Sequence, residues 1–207
     1  MLKRLLIFSV CFTFGSFILA TSIFRIAEVK YVLGRDLSDS DETSLHNPTK
    51  INYELTTAGP ILPDNALYPL KAFRDKVWLA LTFDPIKKAE VCLMFADKRL
   101  ASAKILFEKG KNEDGMSILT KGEKYLELAK IEERIAHQKG IDTTEFLQKY
   151  SLATLKHREV LDQMALTIPE NMKPMIVNIE NYSKNLYLES KNNLLDEGAP
   201  VAQNPFK

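Results

Sequence analysis

Apolar positions between Leu62 and Leu195 recur with helical spacing, and the stretches that carry them are separated by turn-forming residues. In the first stretch Leu70, Phe73, Val77, Trp78 and Leu81 share one side, while Lys71, Arg74, Asp75 and Lys76 take the other. Pro69 suits the first position of this helix, because its missing N–H has no partner there in any case. Tyr68, which precedes it, is pushed out of the helical region. The chain then turns at Phe83-Asp84-Pro85, where Asp84 is placed to cap a second helix and Pro85 to open it. That helix carries Ile86, Leu93, Leu100 and Phe107 in one seven-residue row and Ala89, Ala96 and Ala103 in another. Gly110 ends it.

A third helix is predicted from about Glu113 to Lys139, stopped by Gly140, with Ile118, Leu119, Tyr125, Leu126, Leu128 and Ile135 apolar. Gly115, Gly122, Ala129 and Ala136 form a small-residue row with the same period as the alanine row before it. The short turn at 110–112 predicts an antiparallel pair with these rows facing each other. The two axes would then approach to the low end of the usual separation of about 8–10 Å. Asp142 and Glu145 are spaced as a capping box for a fourth helix, which presents Phe146, Leu147, Tyr150, Ala153, Val160, Leu161 and Met164 on one face. After a turn or kinked start at 169–174, a last helix directs Met175, Ile179, Tyr182 and Leu186 inward. No stretch alternates with period two for long enough to be a strand. The fold class is therefore all-α: a bundle of about five helices with antiparallel hairpins.

The N-terminal region has a different character. Lys3 and Arg4 precede the uncharged 20-residue run Leu5–Phe24, long enough to cross a bilayer as a helix. It reads as a signal anchor, or as a signal peptide cleaved near Ala20-Thr21-Ser22. The anchor is favoured, because the run exceeds a usual signal core and continues through Ile23-Phe24. An N-in orientation places the body outside the cytoplasm as a single-pass membrane protein, or secretes it if the run is cleaved. The expected division is an anchor or signal segment over 1–30, an acidic flexible linker over 31–61, the bundle over 62–196 and a disordered tail over 197–207. Ile51 to Leu55 are placed to add a short extended piece against the bundle. The acidic linker lacks the spacing of a calcium loop.

The 207 residues hold 28 basic and 27 acidic groups, a net charge of +1. This leaves no excess of cations to neutralise phosphates and argues against nucleic-acid binding. Of the two cysteines, Cys11 lies in the apolar run and Cys92 on an apolar helix face, so neither a disulfide framework nor a metal-binding spacing exists.

The segments LYPLK (67–71) and LTFDP (81–85), with the helix that follows and the stretch His157–Ser183, resemble a family of exported, all-helical bacterial domains of unknown function. The resemblance covers roughly Leu62 to Leu195. It implies a fold and a location outside the cytoplasm, and it brings no catalytic residues with it.

Candidate chemistry is sparse. His157 falls on the apolar side of its helix, seven residues from both Tyr150 and Met164. It is either a metal ligand or pH-sensing group, or a histidine hydrogen-bonded at the bundle rim, and the absence of Glu-x-x-His motifs favours the second. Nothing in the sequence brings His46 or His137 to it. Glu123, Glu127, Glu132 and Glu133 read as a solvated face answered by Lys124, Lys130 and Arg134. Lys71, Arg74, Lys76, Lys87, Lys88, Lys98 and Arg99 are dense enough to meet anionic lipid or a cell-wall polymer, or simply solvate the exterior. No catalytic, cofactor-binding or metal residue is assigned, and no cofactor is expected. The expected role is a non-enzymatic structural or interaction module of the envelope, held by residues 5–24 and binding an envelope protein or polymer. A ligand- or metal-responsive sensor and an enzyme of unknown class are the alternatives.

Overall fold

A computed structural model describes residues 51–206. The predicted membrane or signal helix and the acidic run after it lie outside the described residues. Within them are five helices and no strands: α1 (Tyr68–Leu81), α2 (Pro85–Glu108), α3 (Asn112–Gln138), α4 (Thr144–Ala165) and α5 (Lys173–Asp196), with a 3-10 turn at Glu170–Met172. None of these helices is long and apolar enough to cross a membrane.

Local chemistry sets the corners. Asp84 caps α2, its Oδ1 accepting from the amides of Ile86 (3.0 Å) and Lys87 (3.4 Å). At the end of α2 Gly110 takes φ +72°, and the Lys111 amide reaches back to the Leu106 carbonyl, turning the chain into α3. Gly140 repeats this at the end of α3, with the Ile141 amide bonded to the Ala136 carbonyl. α1 begins at Tyr68, one residue earlier than its proline indicates. The capping box expected at α4 does not form. Asp142 accepts from the Thr144 amide, but Thr143 takes the cap position and spends its hydroxyl on Glu133.

The α2–α3 hairpin is the spine. Ala89, Ala96, Ala103, Ala129 and Ala136 are fully buried, as the matched rows predict. The approach is tightest at Gly122, where a Cβ would lie 3.2 Å from the Cβ of Arg99 and 3.4 Å from the Ala96 carbonyl oxygen. A side chain here would push the two backbones apart. α4 and α5 form a second hairpin laid across the first. One core joins Leu100, Leu106 and Leu119 to Leu161, Met164 and Ile176, and another joins Leu93, Ala96 and Leu126 to Phe146, Tyr150 and Leu186.

Two helix faces differ from expectation. In α5 the inward positions are Ile176, Ser183, Leu186, Tyr187, Ser190 and Leu194, whereas Met175 is exposed. Buried serines let the helix sit close where the predicted register places larger groups. At α1 most of the predicted row is reversed. Leu70 is 66% exposed and Phe73 61%, while Asp75 is 3% exposed. Trp78 turns inward and meets Phe95 edge-on at 5.8 Å, and Phe95 in turn meets Tyr125. Lys71 gives its ammonium to the carbonyls of Ala58 (3.0 Å) and Ile61 (2.8 Å). Arg74 holds Asp75 at 2.7 Å, and the guanidinium of Arg99, stacked 4.8 Å from the Tyr125 ring centroid, faces the other Asp75 oxygen. α1 therefore docks through a mixed side, Lys71 and Asp75 together with Tyr68, Trp78 and Leu79, and keeps Leu70, Phe73 and Leu81 outward.

Both flanking segments pack on the bundle. Ile51 to Leu55 lie against it as expected, and the packing continues through Ala58, within the span expected as a flexible linker. Ile51 and Ala58 are buried, and the Ile51 amide donates to Glu159 at 2.9 Å. Beyond Gly198 the chain lies along the bundle: Ala202 accepts from the Tyr187 hydroxyl at 2.8 Å, and Phe206 sits beneath the Arg158 guanidinium at 4.5 Å. Aromatic and small apolar side chains at Tyr53, Ala58 and Phe206 supply the packing that their polar neighbours conceal.

Candidate functional site

A fully buried side chain is the one that stood out in the sequence. His157 on α4 is 0% exposed, not at the rim. Its Nε2 lies 3.0 Å from Asp97 Oδ1 on α2, and its Nδ1 lies 3.1 Å from Glu123 Oε1 on α3. The remaining carboxylate oxygens are also used. Asp97 Oδ2 accepts from the Tyr53 hydroxyl (2.8 Å) and from the amide and hydroxyl of Thr56 (3.4 and 3.3 Å). Glu123 Oε2 accepts from the Ser183 hydroxyl on α5 at 2.7 Å. One imidazole thus ties together three helices, and its carboxylates tie in α5 and the N-terminal arm.

Burial alone would drive His157 to its neutral form. The two hydrogen-bonded carboxylates overcome that and raise its pKa to about 9, so the ring is an imidazolium at neutral pH and donates from both nitrogens. Burial, with Asp97 beside it, holds the Tyr53 phenol far above its ordinary value. Burial likewise raises Tyr150, which donates to the Leu126 carbonyl at 3.0 Å.

The arrangement limits its own chemistry. The carboxylates flank opposite edges of the ring, so no point is shared by the histidine and both acids, and the oxygens not facing the ring are already hydrogen-bonded. No cluster of three or more metal-ligating side chains occurs among the described residues. Ser183 is fully buried and donates to a carboxylate rather than to the imidazole, so the serine–base contact that activates a hydroxyl is not made.

The other candidates scatter. His137 is exposed, 3.4 Å from Glu197 Oε1 and on a different helix from His157. His46 lies outside the described residues. Cys92 is buried among apolar groups, which push its thiol up to about 12 and leave it inert. The expected solvated face of α3 is only partly that. Glu127, Lys124 and Arg134 are exposed, but Glu123, Lys130, Glu132 and Glu133 are buried. Lys130 meets Glu133 at 2.7 Å, and the hydroxyl of Thr143 closes the same carboxylate. Lys88 reaches Glu132 at 2.6 Å. These pairs satisfy one another inside the bundle. The basic cluster also disperses, since Lys71, Arg74, Lys88 and Arg99 point to internal partners, while Lys76 and Lys87 are exposed. Burial lowers the pKa of both Lys71 and Lys98.

Sequence reasoning passed over Asp97 and Ser183 and read Glu123 as part of a solvated face. A signal for Glu123 was present. With Lys130 it stands seven residues apart and in phase with the Leu119–Leu126 row, the wrong place for solvated charges.

The molecule therefore offers a closed ionic core around His157 and an open apolar helix face. Residues 60–171, more than half of the chain, match the Domain of unknown function (DUF5667), and the chain belongs to that family. The match takes in α1 to α4 and ends in the turn before α5, short of the Leu195 limit of the resemblance seen in the sequence. Neither a curated protein nor a solved structure matches.

Proposed function

We propose that this DUF5667 chain is a membrane-tethered, extracytoplasmic module of the cell envelope that works by binding and not by catalysis. The observation that carries the reading is α1. Its inner side is anchored by Asp75, Lys71 and Trp78, and its apolar stripe is held toward solvent. Leu67, Leu70, Phe73, Leu81 and Phe83 are all more than half exposed, a contiguous display that marks contact surfaces. The uncharged run 5–24 supports the tether. Two shallow hollows, one beside His137 and Glu197 and one between Leu55 and Gln163, do not bring a nucleophile to a base.

The test is site-specific photocrosslinking in native membranes, with the probe at Phe73 and, as control, at exposed Lys124 on α3. The expected result is a discrete adduct from Phe73 and none from Lys124. Equal labelling at both positions sinks the reading. What weighs against a metal-responsive sensor is the saturated hydrogen bonding around His157. Added Zn²⁺ should leave the melting temperature unchanged.

A further inference from the structure

We propose that the outward face of α1 docks on the surface of the bilayer that the chain's own residues 5–24 enter, lying in the plane of the headgroups. This rests on the tethered reading above and names the partner of the same face.

The face has the form of an interfacial helix. Leu70, Phe73, Val77 and Leu81 follow one another along one side of α1, over about 17 Å of helix. Leu67 and Phe83 extend the stripe past both ends. Such a helix buries its apolar side at the boundary between headgroups and acyl chains and keeps its polar side away from it. Here the side bearing Lys71 and Asp75 is occupied by the body, so the only direction left to the stripe is outward. Exposed Asp84 follows Phe83 at one end of the stripe, and the other charges at its margin are cationic. Lys76 is exposed on α1 and Lys87 in the first turn of α2, whereas the acid of α1, Asp75, is turned inward and paired. Anionic headgroups complement that margin.

Chain length makes the encounter unavoidable. Twenty-six residues separate Phe24 from Ile51, the first residue described in the packed body. They can span no more than about 90 Å. A body confined to that range meets the bilayer surface at an effective concentration of about 1 mM or more, so a modest apolar stripe suffices. α1 is also the first helix among the described residues. The arm that leads to it is fastened by Lys71 to the carbonyls of Ala58 and Ile61. A second copy of the chain is the weaker occupant. Two-fold pairing of the stripe would bring Lys76, near its middle, against its own counterpart.

Trp78 is the single tryptophan of the chain and lies on α1, so its fluorescence reports this helix alone. The full-length protein is reconstituted into phosphatidylcholine–phosphatidylglycerol vesicles whose acyl chains carry bromine near the headgroup. Trp78 should be quenched, and the combined L70S, F73S and L81S variant should lose at least about twofold of that quenching, because the exposed apolar area that drives insertion is gone. Replacing phosphatidylglycerol by phosphatidylcholine should weaken quenching further. The three substitutions lie on the solvent side, so the thermal melt of the variant should match the parent and show that the body is intact. Protein that resists carbonate extraction but leaves Trp78 unquenched, or quenched equally in the variant, overturns the docking and leaves the tether standing. Protein released by carbonate overturns both. A photoprobe at Phe73 that joins two copies instead of labelling lipid assigns the face to a dimer and overturns the proposal.

Discussion

α1 and α4 are built from similar sequence patterns and used in opposite ways. Each carries an apolar row at helical spacing with charges between. α4 turns its row inward and takes His157 with it, into a core where every facing oxygen of Asp97 and Glu123 has a donor. α1 turns its row outward and lays Asp75, Lys71 and Trp78 on the body. The difference shows that hydrophobic periodicity identifies a stripe without deciding what it faces. α4 is pinned by apolar neighbours on three other helices. α1 is held by an ion pair to α2, the Trp78 edge, Tyr68 and Leu79 against the core and the incoming arm, and these contacts turn Leu70, Phe73 and Leu81 outward.

The comparison is broken most severely at His157. His157→Ala leaves two carboxylates buried without their cation, and the loss should be about 3–5 kcal/mol, read by chemical denaturation. The next effect is on pH dependence. The folded pKa of about 9 stands above the ordinary histidine value, so this stabilisation is complete below about pH 6.5 and is lost as pH rises from there through 9. Stability measured across that window should fall by up to about 3 kcal/mol, and the slope should flatten in His157→Gln. Tyr53 and Tyr150, both raised, titrate above this range. Gly122→Val sharpens the contrast from the seam side. Its added atoms meet the α2 backbone, and overpacking of about 1–3 kcal/mol should appear in the same assay. The smallest effect belongs to α1. Phe73→Ser should change stability by no more than about 0.5 kcal/mol, whereas a comparable cut at fully buried Leu126 would be costly.

Features fixed by neighbours in sequence were legible from the residues alone. Asp84-Pro85, Gly110 and Gly140 act within a few residues, and each forms the corner its chemistry predicts. The alanine and glycine rows of α2 and α3 were legible because a short turn leaves an antiparallel pair few alternatives. The ionic core was not. His157 is 60 residues from Asp97 and 34 from Glu123, and a charged residue on an apolar row does not announce which distant group neutralises it. Thr143 was hidden for a related reason: its hydroxyl serves the buried Glu133 ten residues away instead of its own helix end. The apolar Ile51–Leu55 piece of the arm was legible, while the rest of the arm and the tail were obscured by composition. Polar, proline-containing stretches read as tethers, yet Ala58 and Phe206 pack.

That packing brings the two ends of the body together. Ile51 and Tyr53 from one end share a cluster with Ala202 and Phe206 from the other, both resting on Leu155 and Tyr187. A body whose ends meet is closed in a topological sense. A short peptide joining them would cost little loop entropy, and new termini could be opened at Gly110, where the turn is exposed and a Cβ would meet nothing within 4 Å. The fold is thus suited to circular permutation, and to insertion within another chain without forcing its host apart.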